Sequence, residues 1–302
     1  MSDSVLGPQS SVLQLWWLAA RPKTLSVSLV PVMVGTALAW FESGAVLWLP
    51  ALAALTGAML IQIGTNLHND AADFLRGADT PGRLGPARAV ASGWLPARRV
   101  EAAALLCYAL AMGCGVYLVW HAGWPIVVLG LASLLSGWLY TGGPRPLAYT
   151  GLGELFVWLF FGLGAVLGSF YLQTFRLDWG AFLLASMVGM HAAAVIVVNN
   201  YRDLDGDREV GKNTLAVRLG REGSQVEYGL LLFLPYLLLP TLAGLTGLKW
   251  GAVLPFLSLP WAMMLLRRFA TDPVGPGFNA ILAQTAQLQL AFGALFTIGI
   301  VL

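Results

Sequence analysis

Long apolar stretches alternate with short polar breaks along the whole chain, and the apolar stretches have the length of membrane-spanning helices. Crossing the hydrocarbon core takes about 20 mostly apolar residues. Nine stretches qualify, at 24–41, 47–74, 98–119, 124–141, 152–173, 180–201, 226–245, 250–266 and 280–301. Pro and Gly within several of them do not argue against helix, because neighbouring helices resupply freed backbone groups. The pattern predicts an all-α integral membrane protein of about nine transmembrane helices. It forms one domain over 1–302, with 1–20 as an N-terminal tail.

Composition excludes the other classes. Hydrophobic residues make up 58% and charged residues 11%, against roughly 45–50% and 25% in soluble domains. A soluble protein of 302 residues could not cover its surface with so few charges. Disorder, a disulfide scaffold and nucleic-acid binding are excluded on the same ground. Cys107 and Cys114 share one apolar stretch and read as small buried hydrophobes. Residues 1–14 lack a basic segment leading directly into a short apolar core, so the first apolar helix is expected to stay rather than be cleaved.

Charge then sets an orientation. With the N-terminus in the cytoplasm, 15 of the 17 Lys and Arg residues fall inside and only Arg176 and Lys249 outside. This bias predicts a cytoplasmic N-terminus. Two inside loops are long, at 75–97 and 201–225. Each follows the second helix of a four-helix block, which suggests a parallel internal repeat with a ninth helix added.

The acidic residues carry the chemistry. Six of the 15 are aspartates in or just after two helix ends: Asp70, Asp73 and Asp79, then Asp203, Asp205 and Asp207. Asn66, Asn69, Asp70 and Asp73 are three or four residues apart and share a helix face, as do Asn199, Asp203 and Asp207. Carboxylates at membrane depth are costly, and clustering them adds repulsion. A hard divalent cation relieves both costs, and Mg²⁺ completes its octahedron with phosphate oxygens and water. Two such clusters face to face suit a diphosphate. Asp70, Asp73, Asp203 and Asp207 are therefore the expected catalytic Mg²⁺ ligands. Asn66, Asn69, Asn199 and Asn200 are either further ligands or partners in helix–helix hydrogen bonds. Asp205 points off the shared face. Arg83, Arg88, Arg202 and Lys212 are candidate phosphate binders. Arg21 and Lys23 either hold an acidic substrate or anchor the first helix at the headgroups. His68 and His191 read as structural.

Asn69-Asp70-x-x-Asp73 and Asp203-x-x-x-Asp207-x-x-x-Gly211 resemble the two aspartate-rich motifs of the UbiA superfamily of intramembrane prenyltransferases. Ala20-Arg21-Pro22-Lys23-Thr24, Gly85-Pro86-x-Arg88, Tyr140-Thr-Gly142-Gly143-Pro144-x-Pro146, Gly151-Leu-Gly153-Glu154 and Gly211-Lys212-x-Thr214-Leu-Ala-Val-Arg218 resemble its 1,4-dihydroxy-2-naphthoate branch. One position departs from the superfamily pattern: Gly77 stands where another Asp is usual, and Asp79 follows it. The resemblance implies a UbiA-like bundle around a central cavity, with Tyr140 and Glu154 at the substrate site. It also implies Mg²⁺-dependent transfer from a polyprenyl diphosphate to 1,4-dihydroxy-2-naphthoate, with loss of CO₂ and diphosphate, in menaquinone biosynthesis. The expected location is the bacterial inner membrane, with both long loops as active-site loops facing the cytoplasm. Another aromatic acceptor, 4-hydroxybenzoate or homogentisate, is the alternative within the superfamily. A transporter is the alternative outside it, but its charges would sit near the bilayer midplane.

Overall fold

The computed structural model describes residues 11–77, 84–144 and 146–302. Arg83 and Asp79 lie outside the described residues. Every regular element among those described is helical. A short helix α1 (Val12–Ala19) is followed by α2 (Ser26–Ser43), α3 (Trp48–Leu75), α4 (Ala97–Ala122) and α5 (Trp124–Leu139). Next comes a mixed helix: α6 (Gly153–Val157), a π-helical segment (Trp158–Leu167) and α7 (Gly168–Thr174). Then come α8 (Trp179–Glu209) and α9 (Leu215–Thr246). A second mixed helix has α10 (Trp250–Val253), a 3₁₀ turn (Leu254–Ser258) and α11 (Leu259–Thr271), and α12 (Phe278–Val301) ends the chain.

Eight of these stretches are long and apolar enough to cross a membrane. The ninth predicted span, α5, has 16 residues, about 24 Å of helix. That is shorter than a typical hydrocarbon core of about 30 Å.

Helix α8 is the centre of the bundle. It is apolar on all sides and buried over most of its length, as expected of a helix surrounded by others. Small residues let neighbours approach. A Cβ on Gly189 of α8 would lie 2.8 Å from the Gly162 Cα of the π-helical segment. A smaller apolar cluster ties α1 to α3 and α4 through Leu15, Trp16, Leu67, Val90 and Val100.

Two expectations need correction. The N-terminal tail is helical from Val12 to Ala19, because Ser11 and Gln14 form a capping box that satisfies the first amides. The 201–225 loop is mostly helix. α8 continues to Glu209 and α9 begins at Leu215, so only residues 210–214 connect them. Within this helical end each aspartate is paired with a base, Asp203 with Arg202, Asp205 with Arg221 and Asp207 with Lys212. Gly220, at φ 71° and ψ −174°, then bends α9 sharply, a conformation open to glycine and strained for other residues.

Candidate active site

One cavity of about 1070 Å³ runs through the bundle. Its polar end is formed where α3 and α8 finish, with Asp73, Asp203, Asp207, Arg88 and Lys212 on its walls. From there it follows α4 and α5 to Leu118 and Ile126. Leu118 lies 21 residues into α4, about 32 Å along its axis. The cavity is therefore charged at one face and apolar along its depth.

The local sequence explains the polar end. Gly211 takes φ 72° and reverses the chain after α8, a usual glycine role at a helix C-terminus. The Lys212 amide then bonds the Asp207 carbonyl at 2.8 Å. The Thr214 hydroxyl accepts from the Val217 amide and starts α9. Between these caps, Lys212 Nζ sits 3.3 Å from Asp207 Oδ1 and 5.7 Å from the Tyr149 ring centre. On the opposite wall Arg88 Nη1 lies 2.6 Å from Asp73 Oδ2 and donates to the Asn69 carbonyl at 2.9 Å.

Each aspartate cluster keeps one unsatisfied oxygen. Asp73 Oδ1 and Asp207 Oδ2 are buried without a hydrogen-bond partner, and both residues line the cavity. An orphaned carboxylate oxygen facing a polar cavity fits a hard cation. Among the described residues no three His, Cys, Asp or Glu side chains converge tightly enough to chelate one alone. That donor set fits Mg²⁺, which is commonly held by one or two carboxylates plus substrate phosphates and waters.

Other predicted residues have different work. Asp70 does not line the cavity; its Oδ2 and Oδ1 accept the Ala89 and Val90 amides at 2.9 and 3.3 Å. Arg202, expected at phosphate, is only 1% exposed and held by protein. Its Nε and Nη2 donate to the two Asp203 oxygens at 2.7 and 2.5 Å. Nη1 donates to Asn279 Oδ1 at 2.6 Å, and Nη2 also donates to Asn199 Oδ1 at 2.9 Å. The other asparagines bridge helices and loops. Asn66 donates to the Ala20 carbonyl, Asn69 Oδ1 accepts from Thr141 Oγ1, and Asn200 donates to Glu154 Oε1 at 2.7 Å. Glu154 is buried and held by that bond. Arg21, Lys23 and Tyr140 line the cavity, and Arg21 reaches it from a left-handed backbone, φ 57°. His68 is stacked on Trp138 with ring centres 4.0 Å apart and is 3.3 Å from Glu101. His191 contacts the Leu232 carbonyl in the core.

Three contributors escape the sequence reading: Thr141, Tyr149 and Asn279, all on the cavity wall. Partial burial, reinforced by the Asp73 carboxylate, pushes the Tyr149 phenol up to about 12. Near neutral pH it is therefore an uncharged phenol that can donate a hydrogen bond.

Comparison with known proteins decides the family. A sequence model of the UbiA prenyltransferase family matches residues 28–276. The chain belongs to this family. A 1,4-dihydroxy-2-naphthoate octaprenyltransferase of Escherichia coli is 37% identical over 305 residues, 97% of each chain. The same-named enzyme of Bacillus subtilis is 34% identical over 296 residues, covering 97% of this chain and 94% of its own. A UbiA homologue from Archaeoglobus fulgidus, solved with GPP and Mg²⁺, superposes with a TM-score of 0.68. At 15% identity it covers 95% of this chain and 100% of its own, so this UbiA-family member shares its fold over nearly its whole length.

Proposed function

We propose that this UbiA-family protein transfers a polyprenyl group from its diphosphate to 1,4-dihydroxy-2-naphthoate, in the biosynthesis of menaquinone. The observation that carries the reading is a continuous cavity with orphaned carboxylate oxygens at one end and a long apolar arm behind them. The naphthoate-specific names of the two relatives select the acceptor.

The allylic C–O bond of the donor breaks, and its electron pair leaves with diphosphate. The electron-rich ring supplies the pair for the new C–C bond. Its carboxylate departs as CO₂, which returns the electrons of the broken C–C bond to the ring. Mg²⁺ bound at Asp73, Asp203 and Asp207 would stabilise the charge developing on the diphosphate. Arg88 and Lys212 stand beside these carboxylates and meet the phosphate oxygens. Arg21 and Lys23 line the same chamber and face the acceptor's carboxylate. The apolar arm holds the polyprenyl tail and keeps water from the allylic carbon. Purified protein with Mg²⁺, a polyprenyl diphosphate and a panel of aromatic acids is expected to yield the prenylated, decarboxylated naphthoquinol by mass spectrometry. Excess chelator is expected to stop its formation and added Mg²⁺ to restore it. Full activity in chelator would sink the metal assignment, and product from another acid alone would sink the acceptor.

The Lys and Arg bias supports a polar end that faces the cytoplasm. Gly206 lies there, exposed, with open space where a Cβ would project. In a background with Cys107 and Cys114 replaced by Ser, Gly206→Cys is expected to react with an impermeant maleimide in inverted vesicles only. Labelling in intact spheroplasts reverses the orientation.

A further inference from the structure

The segment from Leu84 to Val90 crosses the polar end of the cavity between the two aspartate clusters, with Leu84 and Arg88 on the wall. It is fastened at both ends. At its start, the Leu84 carbonyl accepts Asn279 Nδ2 at 3.1 Å. The same Asn279 amide accepts Arg202 Nη1 through its oxygen, and Arg202 grips Asp203. At its end, the Ala89 and Val90 amides donate to the two oxygens of Asp70. Asp70 is 2% exposed. Beyond it the strap closes in a tight turn, with the Trp94 and Leu95 amides both on the Ala89 carbonyl.

A buried carboxylate whose two oxygens each accept a peptide N–H has partners within the protein and needs no metal to meet them. Asp70 is thus committed to the residues immediately after Arg88, whereas Asp73, one turn further along α3, keeps a free oxygen on the cavity. Spacing alone makes the two aspartates equivalent, but their contacts do not.

We propose that Asp70 and Asn279 are positioning residues. They pin the two ends of the Leu84–Val90 strap, so that Arg88 meets Asp73 and the donor's diphosphate in a fixed geometry. Asp70 then acts through Arg88 and not on the metal. Asn279 joins the strap to the Arg202–Asp203 pair, so one amide couples the two clusters. This deepens the diphosphate-transfer reading and rests on it.

The test uses the full chain in nanodiscs, with Asp70→Asn, Asp70→Ala, Asn279→Ala, Arg88→Ala and each double variant with Arg88→Ala. Asp70→Ala and Asn279→Ala are expected to raise the KM for the polyprenyl diphosphate about tenfold or more, the order of one lost hydrogen bond to a charged group. The Mg²⁺ concentration for half-maximal rate at saturating diphosphate is expected to stay within about twofold of wild type, as no ligand is lost. Adding either change to Arg88→Ala is expected to cost nothing further, the signature of residues acting through a shared partner. Asp70→Asn, which keeps one acceptor oxygen, is expected to recover part of the loss. A Mg²⁺ requirement raised in Asp70→Asn as it is in Asp73→Asn overturns the proposal, as do losses that multiply with Arg88→Ala. Hydrogen exchange of residues 84–95 supplies a readout that needs no turnover. Faster exchange is expected in Asp70→Asn and Asn279→Ala, and unchanged exchange in both refutes the pinning. An inactive wild-type protein would count against the transfer reaction itself and leave the exchange result standing.

Discussion

Replacing Asp207 or Asp73 by Ala is expected to lower turnover about 10²–10³-fold, the usual cost of one preorganised electrostatic contact to a developing charge. Both carboxylates sit on the cavity wall with one oxygen unsatisfied. Those oxygens are the expected contacts to Mg²⁺ and the departing diphosphate. The step that suffers is departure of diphosphate, so the loss is expected with every aromatic acceptor that the enzyme takes. Asp205→Ala provides the contrast. Its side chain is 72% exposed and paired with Arg221, and such surface changes usually stay within about 0.5 kcal/mol. Initial rates with two acceptors, on protein whose thermal unfolding is unchanged, check both. Near-normal turnover in Asp207→Ala removes it from the reaction.

A different failure is expected for Arg202→Met. Arg202 is one of the largest side chains fully enclosed by the protein, and its guanidinium binds Asp203, Asn199 and Asn279. Breaking a buried charge pair from one side costs up to about 3–5 kcal/mol, and here Asp203, Asn199 and Asn279 lose the guanidinium together. The variant is expected to unfold at markedly lower temperature and to lose activity with it. Arg202→Lys is expected to recover little, since an ammonium cannot reproduce the planar fork. Thermal unfolding in detergent, followed by fluorescence, reads the effect. A variant of unchanged stability with only a raised diphosphate KM would return Arg202 to the role of phosphate ligand.

Hydropathy makes the spans legible because each must meet the bilayer's length, and the helices fall within about five residues of the predicted stretches except at the end of α8 and the start of α9. There the sequence shows Asp203, Asp205 and Asp207 in succession and suggests a loop. The helix nevertheless runs on to Glu209, with its aspartates paired to Arg202, Arg221 and Lys212, contacts that polarity alone does not reveal. The short α1 escaped because eight residues are too few to span. The division of labour between Asp70 and Asp73 was hidden for another reason: the partners of Asp70 are peptide amides 19 and 20 positions away, and amides carry no sequence signature. Asn279 belongs to no motif, and its partners lie 77 and 195 positions off. Of the four asparagines, Asn66, Asn69 and Asn200 bond other segments through Ala20, Thr141 and Glu154, whereas Asn199 bonds Arg202 within α8, and all four line the cavity.

The π-helical segment from Trp158 to Leu167 has a consequence for how the family can change length. Such a segment fits more residues into each turn than an α-helix does. Here it contributes Phe160, Phe161 and Gly164 to the cavity, while Gly162 is pressed against Gly189. Deleting one residue in an α-helix turns every later side chain by about 100°, but a π turn that loses a residue can close as an α turn and leave the later side chains facing as before. A one-residue change of length is therefore absorbed more readily in this stretch than in the α-helical walls around it.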